Sequence, residues 1–178
     1  MPLTTSPSHF MPASFTTDFL AELDSELAGT RRVLERVPYA QADYQPHPKS
    51  MSLWQLASHV VNLLAFKTLF VQANGRDFLD PNAPKPGPTT TSHEALMARF
   101  EEYSAALRQA LAGADDAQLG QNFRLHRGEH TIFERPKSVA LRLMGLNHSI
   151  HHRGQLTVYL RLLDIPVPGL YGPSADEQ

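Results

Sequence analysis

The stretch KSVALRLMGLNHSIHHRGQLTVYLRLL, residues 137–163, decides the fold because it carries the longest helical periodicity in the chain. Its apolar residues recur at steps of three and four until Asp164 and the following prolines end the pattern, which predicts one long amphipathic helix. His148 and His152 interrupt the apolar stripe. At ~100° per residue, a spacing of four places both rings on one face of the helix. They are polar groups at core positions, an arrangement that suits two ligands of one metal ion.

Three further helices precede this one. The first is expected to begin at Thr16 or Thr17 and to end near Arg36. The second is capped by Ser50 or Ser52 and runs over about 53–73, with Asn74 and Gly75 as its end signal. The third begins at a capping box formed by Thr91 and Glu94. Two short β-like segments between Gln121 and Pro136 flank a glycine and predict a small hairpin. The sequence therefore predicts an all-α protein, a four-helix bundle with long connections and a small hairpin before the last helix.

Composition limits the class of protein. The 178 residues, 42% of them hydrophobic, suffice for one core, so we expect a flexible arm at 1–13 and a single domain at 14–178. The net charge is −2 and the basic residues are scattered, which argues against binding to nucleic acid or to a membrane surface. No apolar segment is long enough to span a bilayer, so we expect a cytoplasmic protein.

A third histidine extends the metal hypothesis. His59 in the second helix lies on the apolar side with Leu56 and Leu63, away from a polar side that carries Gln55, Ser58 and Asn62. The chain has no cysteine, so a transition metal must be held by His, Asp or Glu. We therefore predict that His59, His148 and His152 bind one divalent metal ion. Zn²⁺ or Ni²⁺ is expected first, with Co²⁺, Fe²⁺ or Mn²⁺ as alternatives.

Other polar residues near the predicted site have two interpretations. Gln155 and Tyr159 lie one and two turns beyond His152 and either orient the ligands or substrate, or are core residues bonded to a neighbouring helix. His151 is either a neighbour that supports the ligands or a competing ligand. Arg153 projects away from the ligand face and is expected to cap a helix or to pair elsewhere. We expect His126 and His130 to be solvated loop residues, and no role follows for the remaining histidines, His9, His47 and His93.

Two segments, PHPKSMSLWQLASHVVNL (46–63) and NHSIHHRGQLTVYLRLLDIPVPGLYGPSADE (147–177), resemble the DinB-like proteins, the DinB/YfiT superfamily of bacterial metal-binding four-helix bundles. The most specific part is His-x-x-x-His-Arg-Gly-Gln, and the resemblance places the ligands on the same three histidines. It also implies a metal-dependent transferase or isomerase that acts with a low-molecular-weight thiol, such as bacillithiol, mycothiol or glutathione, and an electrophile. A homodimer is expected by the same analogy.

The function expected from the sequence is therefore an enzyme in which the metal activates an exogenous thiol. The alternative is a non-catalytic stress-response protein in which the metal is structural. A structural zinc site normally has four protein ligands, and three are visible in the sequence. A fourth ligand from an Asp or Glu of the first or third helix would favour the alternative.

Overall fold

The computed structural model describes residues 14–83, 87 and 89–177. The predicted arm at 1–13, and His9 with it, lies outside the described residues. The elements in chain order are α1 (Phe15–Leu34), α2 (Leu53–Gln72), β1 (Gly75–Asp77), α3 (His93–Ala112), α4 (Asp116–Gly120), β2 (Asn122–Arg127), β3 (His130–Pro136), α5 (Lys137–Ala140), a π-helical segment (Leu141–Asn147) and α6 (His148–Leu162).

Four long helical segments form the bundle: α1, α2, α3 and the continuous run from α5 to α6. Helix α2 packs against α3 and α6, and α1 packs against the same two helices. Buried apolar side chains fill the space between them, the largest being Phe19, Leu23, Leu34, Leu53, Leu56, Phe70, Leu96, Leu107 and Phe123. The predicted helical bundle is confirmed in outline, and a small sheet adds to it.

The sheet has three strands in the order β1, β2, β3. Strand β1 follows α2 in sequence, whereas β2 and β3 lie between α4 and α5. The antiparallel pair β2 and β3 is the predicted hairpin, and Gly128 takes the left-handed φ of 56° at its turn. Strand β1 was not predicted and pairs in parallel with β2. Its Gly75 does not end α2 by a left-handed turn. A Cβ there would lie 2.6 Å from the carbonyl oxygen of Arg124, so glycine permits the close pairing.

Two predicted helix caps are wrong. Helix α1 begins after Ser14, whose hydroxyl accepts the backbone N–H of Thr17 at 3.2 Å, so the cap is neither Thr16 nor Thr17. Helix α3 begins after Ser92, not Thr91, and the Ser92 hydroxyl accepts a backbone N–H of the first turn. Serine and threonine hydroxyls can both accept a free backbone N–H of a first turn, so the sequence alone does not tell which of several neighbouring residues is the cap.

The last helix is interrupted in its backbone pattern. The run from Lys137 to Leu162 is helical throughout, but residues 141–147 adopt the wider π-helical turn instead of the predicted uniform α-helix. Gly145 lies in this segment, and a Cβ at that position would lie 3.0 Å from the Cγ of Lys67 in α2. The π-helical segment ends directly before His148, the first of the two histidines of α6.

No helix in the described ranges is long and apolar enough to cross a membrane.

Candidate metal centre

Three histidines meet where α2 packs against the beginning of α6. The ring centroids lie 5.4 Å apart for His59 and His148, 4.5 Å for His59 and His152, and 4.7 Å for the two rings of α6. One ring nitrogen from each residue lies within 4.8 Å of the others. The structure thus brings together the three histidines predicted from the four-residue spacing in α6 and from the apolar side of α2.

Hydrogen bonds determine which nitrogens face the centre of this cluster. The Nδ1 atom of His152 lies 2.7 Å from Oε1 of Gln155, and because this oxygen only accepts, Nδ1 carries the hydrogen. The ring of His148 bonds to the backbone of Met144, one turn earlier. The Nε2 atoms of His148 and His152 face each other at 2.9 Å. In the tautomers that these bonds select, both Nε2 atoms present lone pairs.

Two lone pairs at this distance repel each other unless a positive charge lies beside them. The residues therefore fit a cation, since a divalent metal accepts both pairs. Metal–nitrogen bonds of about 2.0–2.1 Å in a tetrahedral site separate two ligand nitrogens by about 3.3 Å. The observed separations, from 2.9 Å to at most 4.8 Å, bracket that value. Small rotations of the three side chains are enough to reach it.

The protonation states also suit metal binding. Burial, with the nearby rings of His152 and His148 as further causes, lowers the pKa of His59 to about 4. The pKa values of His148 and His152 are lowered as well, in both cases mainly by burial. All three imidazoles are therefore neutral near pH 7, which is the form that binds a metal.

Among the residues that the structure describes, the cluster contains three candidate metal ligands. No Asp or Glu of those residues joins the cluster, so the fourth ligand that would close the site is absent from α1 and α3. Three neutral imidazoles leave at least one coordination position to a molecule from outside the chain. This arrangement is typical of catalytic rather than structural zinc sites.

A cavity of about 280 Å³ opens beside the cluster, and His59 and His148 form part of its wall. Most of the wall is apolar and comprises Leu63, Ala65, Phe66, Leu69, Phe78, Leu125 and Met144. Two other polar side chains, Asn62 and Arg76, complete it. A small molecule in this cavity would therefore lie against apolar surface with one end near the histidines.

The other residues predicted near the site behave differently from one another. Gln155 orients the ring of His152 through its hydrogen bond to Nδ1, which agrees with the first of its two interpretations, that it orients a ligand. Tyr159 is buried and donates its hydroxyl hydrogen to the carbonyl oxygen of Met51 at 3.0 Å, so it ties α6 to the segment before α2. His151 is exposed, and its ring centroid lies 4.9 Å from that of His152. It does not belong to the group of converging ligand atoms.

Arg153 pairs elsewhere, as predicted. Its side chain is only 2% exposed, and its guanidinium contacts the carboxylate of Glu26 in α1 at 2.6 Å. The same group donates to the hydroxyl of Tyr171 at 2.6 Å. Arg153 therefore joins α6 to α1 and to the C-terminal segment.

The histidines outside the cluster have local roles. In the hairpin, Nδ1 of His126 lies 2.9 Å from the carbonyl oxygen of Gly128 and 3.8 Å from a carboxylate oxygen of Asp77, so it is more enclosed than a solvated loop residue. His130 is exposed, as predicted. The ring of His93 bonds to the carbonyl oxygen of Leu34 near the end of α1.

The predicted polar side of α2 is wrong at two positions. Ser58 is buried, and Asn62 lines the cavity. The connection ahead of α3 passes over this side, where Nδ2 of Asn62 donates to the carbonyl oxygen of Gly87 at 3.1 Å. A buried lysine, Lys67, was also missed, although its spacing of eight residues from His59 places it on the apolar side, where a lysine is unexpected.

The fold and the cluster define this chain as a helical-bundle protein with a candidate three-histidine metal centre. Residues 22–156 match the family model of the DinB superfamily, which is most of the chain. The protein therefore belongs to the DinB superfamily.

Individual relatives agree with this assignment. The uncharacterized protein YrdA of Bacillus subtilis strain 168 is 25% identical over 170 residues, which cover 89% of each chain. A DinB-like protein from Bacillus cereus shares the fold with a TM-score of 0.66 and 24% identity, over 87% of this chain and 97% of that one. YfiT from Bacillus subtilis, described as a probable metal-dependent hydrolase with an unusual four-helix bundle topology, has a TM-score of 0.61 and 16% identity, over 93% and 94% of the two chains.

Proposed function

We propose that this protein is a metal-dependent enzyme that transfers a low-molecular-weight thiol to a small electrophile, or isomerises such an electrophile with the help of the thiol. His59, His148 and His152 hold one divalent ion, and Zn²⁺ or Ni²⁺ is expected before other metals. The observation that carries the proposal is the position of the three imidazoles beside a largely apolar cavity. An enzyme must admit its substrate to the reacting centre, whereas a metal that only stabilises the bundle needs no such cavity.

When bound, the ion supplies Lewis acidity and lowers the pKa of a thiol or water in its remaining coordination position. The residues of the chain do the rest. Gln155 holds the ring of His152 with Nε2 free for ligation. The apolar wall, with Phe66 and Leu69 among its residues, displaces water from the electrophile and so protects it from side reactions.

A thiol fits this cavity better than water as the nucleophile. No carboxylate of the described residues lines the cavity, so no side-chain base of that kind is at hand to accept a proton. A free thiol has a pKa of about 8.5, whereas that of bulk water is about 15.7, so a thiol needs much less assistance to become anionic. The chain has no cysteine, and the thiol must therefore come from a small molecule.

Hydrolysis is the second candidate function. The description of YfiT as a probable metal-dependent hydrolase supports it, since the two chains share the fold. The same three ligands would then activate water instead of a thiol. Hydrolysis and thiol transfer differ in the molecule that occupies the open position, and this difference can be measured.

The test is to load the protein with Co²⁺ and record its visible absorption spectrum during titration with bacillithiol, glutathione and 2-mercaptoethanol. If the proposal is correct, at least one thiol changes the spectrum as sulfur joins the metal, and the same thiol is then consumed with an activated aryl halide in a metal-dependent reaction. The His152→Ala variant should lose the bound metal and both responses. The matched control is His151→Ala, which removes the neighbouring imidazole and should keep them.

Each alternative gives a different result. A cobalt spectrum that no thiol changes, together with metal-dependent cleavage of an activated ester, would favour hydrolysis. A bound metal that responds to no thiol and supports neither reaction would favour the structural role. Full metal occupancy in His152→Ala would remove the site itself.

A further inference from the structure

Arg76 has an unusual environment for an arginine. It lies in β1 and contributes to the wall of the cavity that His59 and His148 also line. Its guanidinium carbon lies 5.6 Å from the ring centroids of Phe66 and Phe78, so two aromatic rings hold it in place. Its Nε atom is buried and has no hydrogen-bond partner among the residues that the structure describes.

No acidic side chain compensates this charge. Within the described ranges, none of the ion pairs includes Arg76. The cavity wall contains no Asp or Glu, and the sequence has none at 1–13, 84–86 or 88. Arg76 is half-buried as a whole, but its Nε is shielded from solvent, and a buried donor left without a partner costs free energy. A guanidinium without an acidic partner beside an apolar cavity is suited to take its anion from a ligand.

The backbone around Arg76 is fixed rather than loose. Residues 75–77 pair in parallel with residues 124–126 of β2. Gly75 permits this approach, since a Cβ there would lie 2.6 Å from a carbonyl oxygen of β2. Asp77 anchors the other end of the strand by accepting the backbone N–H groups of Leu79 and Gly128 at 2.9 Å. Arg76 is therefore presented to the cavity by a preorganised strand.

We propose that Arg76 binds the carboxylate of the ligand that occupies this cavity, so that the electrophilic substrate of the proposed enzyme is an amphipathic carboxylic acid. The inference rests on the proposed function for the reaction but not for the binding. Phe66, over which the guanidinium lies, follows His59 by seven residues, which corresponds to about 10 Å along α2. A ligand with its carboxylate at Arg76 thus extends along the apolar wall and brings its other end to the histidines.

The charge of the cavity selects a carboxylate over a phosphate. One guanidinium neutralises one negative charge and offers two parallel N–H groups that match a carboxylate. A phosphate monoester carries close to two negative charges at neutral pH, and one of them would remain uncompensated against apolar walls. The unpaired Oδ1 atom of Asn62, also buried in the cavity wall, accepts a hydrogen bond from a polar group elsewhere on the ligand.

The test uses three probes of the same shape: 4-phenylbutyrate, 4-phenylbutanol and 4-phenylbutylamine. Calorimetric titration of the metal-free wild-type protein should give tightest binding for the acid, by roughly tenfold or more over the alcohol, as expected for a charge-assisted hydrogen bond. Arg76→Met should remove the preference for the acid, and Arg76→Lys should retain part of it. Arg127→Met, which removes an exposed arginine of the hairpin outside the cavity wall, is the matched control and should bind like the wild type.

The acid could instead bind the metal, and the metal-free protein separates these cases. The His152→Ala variant lacks a metal ligand but leaves the cavity wall intact, so it should still prefer the acid. The inference is overturned if the metal-free wild type does not bind the acid at millimolar concentration, binds it no tighter than the alcohol, or if Arg76→Met keeps the preference. The comparison of probes on the wild type does not depend on any variant folding. Failure of the metal site would appear in the cobalt titration and leave these results unchanged.

Discussion

Gln155 and His152 are joined by a hydrogen bond of 2.7 Å between Oε1 and Nδ1, three residues apart on α6. This bond places the hydrogen on Nδ1 and leaves Nε2 as the ligand atom. The geometry of a helical turn thus lets Gln155 fix the tautomer of His152 that can bind a metal. Such partners of metal-bound histidines commonly change metal affinity by 10–100-fold when they are removed.

We therefore expect Gln155→Leu to weaken binding of the divalent ion by roughly 10-fold or more without unfolding the protein. Gln155 is exposed, so its loss leaves the core unchanged. The measurement is competition for Zn²⁺ with a chromophoric chelator. Gln109→Leu, a change of the same type on α3 away from the cluster, is the control and should have wild-type affinity. Equal affinities for the two variants would show that the hydrogen bond does not prepare the ligand.

The pH dependence of metal binding should follow the lowered pKa values of the ligands. Burial is the main cause of the lowered pKa in all three histidines, and the pKa of His59 falls to about 4. Protons compete with the metal only below the pKa of the free ligand, so a lower pKa moves the loss of affinity to lower pH. We expect little change in affinity from pH 8 to about 6.5 and a steep fall below about 5. A tenfold loss between pH 8 and 7 would contradict this expectation.

The sequence was sufficient for the parts of the site that depend on helical periodicity. The spacing of His148 and His152 and the apolar side of α2 placed three residues that do converge. The strand that presents Arg76 was not predictable in this way, because β1 is three residues long and pairs with a strand nearly fifty residues later. Local patterns contain no information about such a parallel pairing.

Other parts of the structure depend on packing rather than on pattern. The side chain of Asn62 contacts the connection that crosses α2, and Gly145 in the π-helical segment packs closely against Lys67 of α2. Neither is visible in the residues of one helix alone. The thiol and the homodimer stay predictions, since both concern molecules outside this chain.

Arg153 should be among the most important residues for stability. It is 2% exposed and pairs with Glu26, whose side chain is 14% exposed. Removing one partner of a buried ion pair leaves an uncompensated charge, so we expect Arg153→Ala to lower the free energy of unfolding by about 3–5 kcal/mol. The control is Arg161→Ala on the same helix, which breaks an exposed pair with Asp176 and should cost about 1 kcal/mol or less. Urea denaturation measures both, and similar losses would show that burial does not distinguish the pairs.

Lys67 is another buried basic residue, and it has no acidic partner among the described ion pairs. Its side chain is 1% exposed, and its Nζ atom donates to the hydroxyl of Ser149 at 2.5 Å. Burial, with the charge of Arg153 as a further cause, lowers the pKa of Lys67 to about 7. The ordinary pKa of a lysine in an unfolded chain is about 10.4. The unfolded protein therefore binds more protons than the folded one between these two values.

This difference predicts how stability changes with pH. Because the unfolded state releases its extra proton as the pH rises from 7 to 10, the penalty for burying Lys67 decreases over this range, by at most about 1.4 kcal/mol per pH unit. Lys67→Met has no such titration, so its stability relative to the wild type should be greatest near pH 7 and decline steadily towards pH 10. Removing the lysine also leaves the Ser149 hydroxyl without its partner, which lowers the variant's stability by a similar amount at every pH. Urea denaturation of metal-free wild type and variant at pH 7, 8, 9 and 10 gives the difference directly, without the histidine–metal equilibrium. A difference that stays constant across the four values would mean that Lys67 keeps an ordinary pKa in the folded protein, and the buried environment described for it, without an acidic partner, would then be wrong.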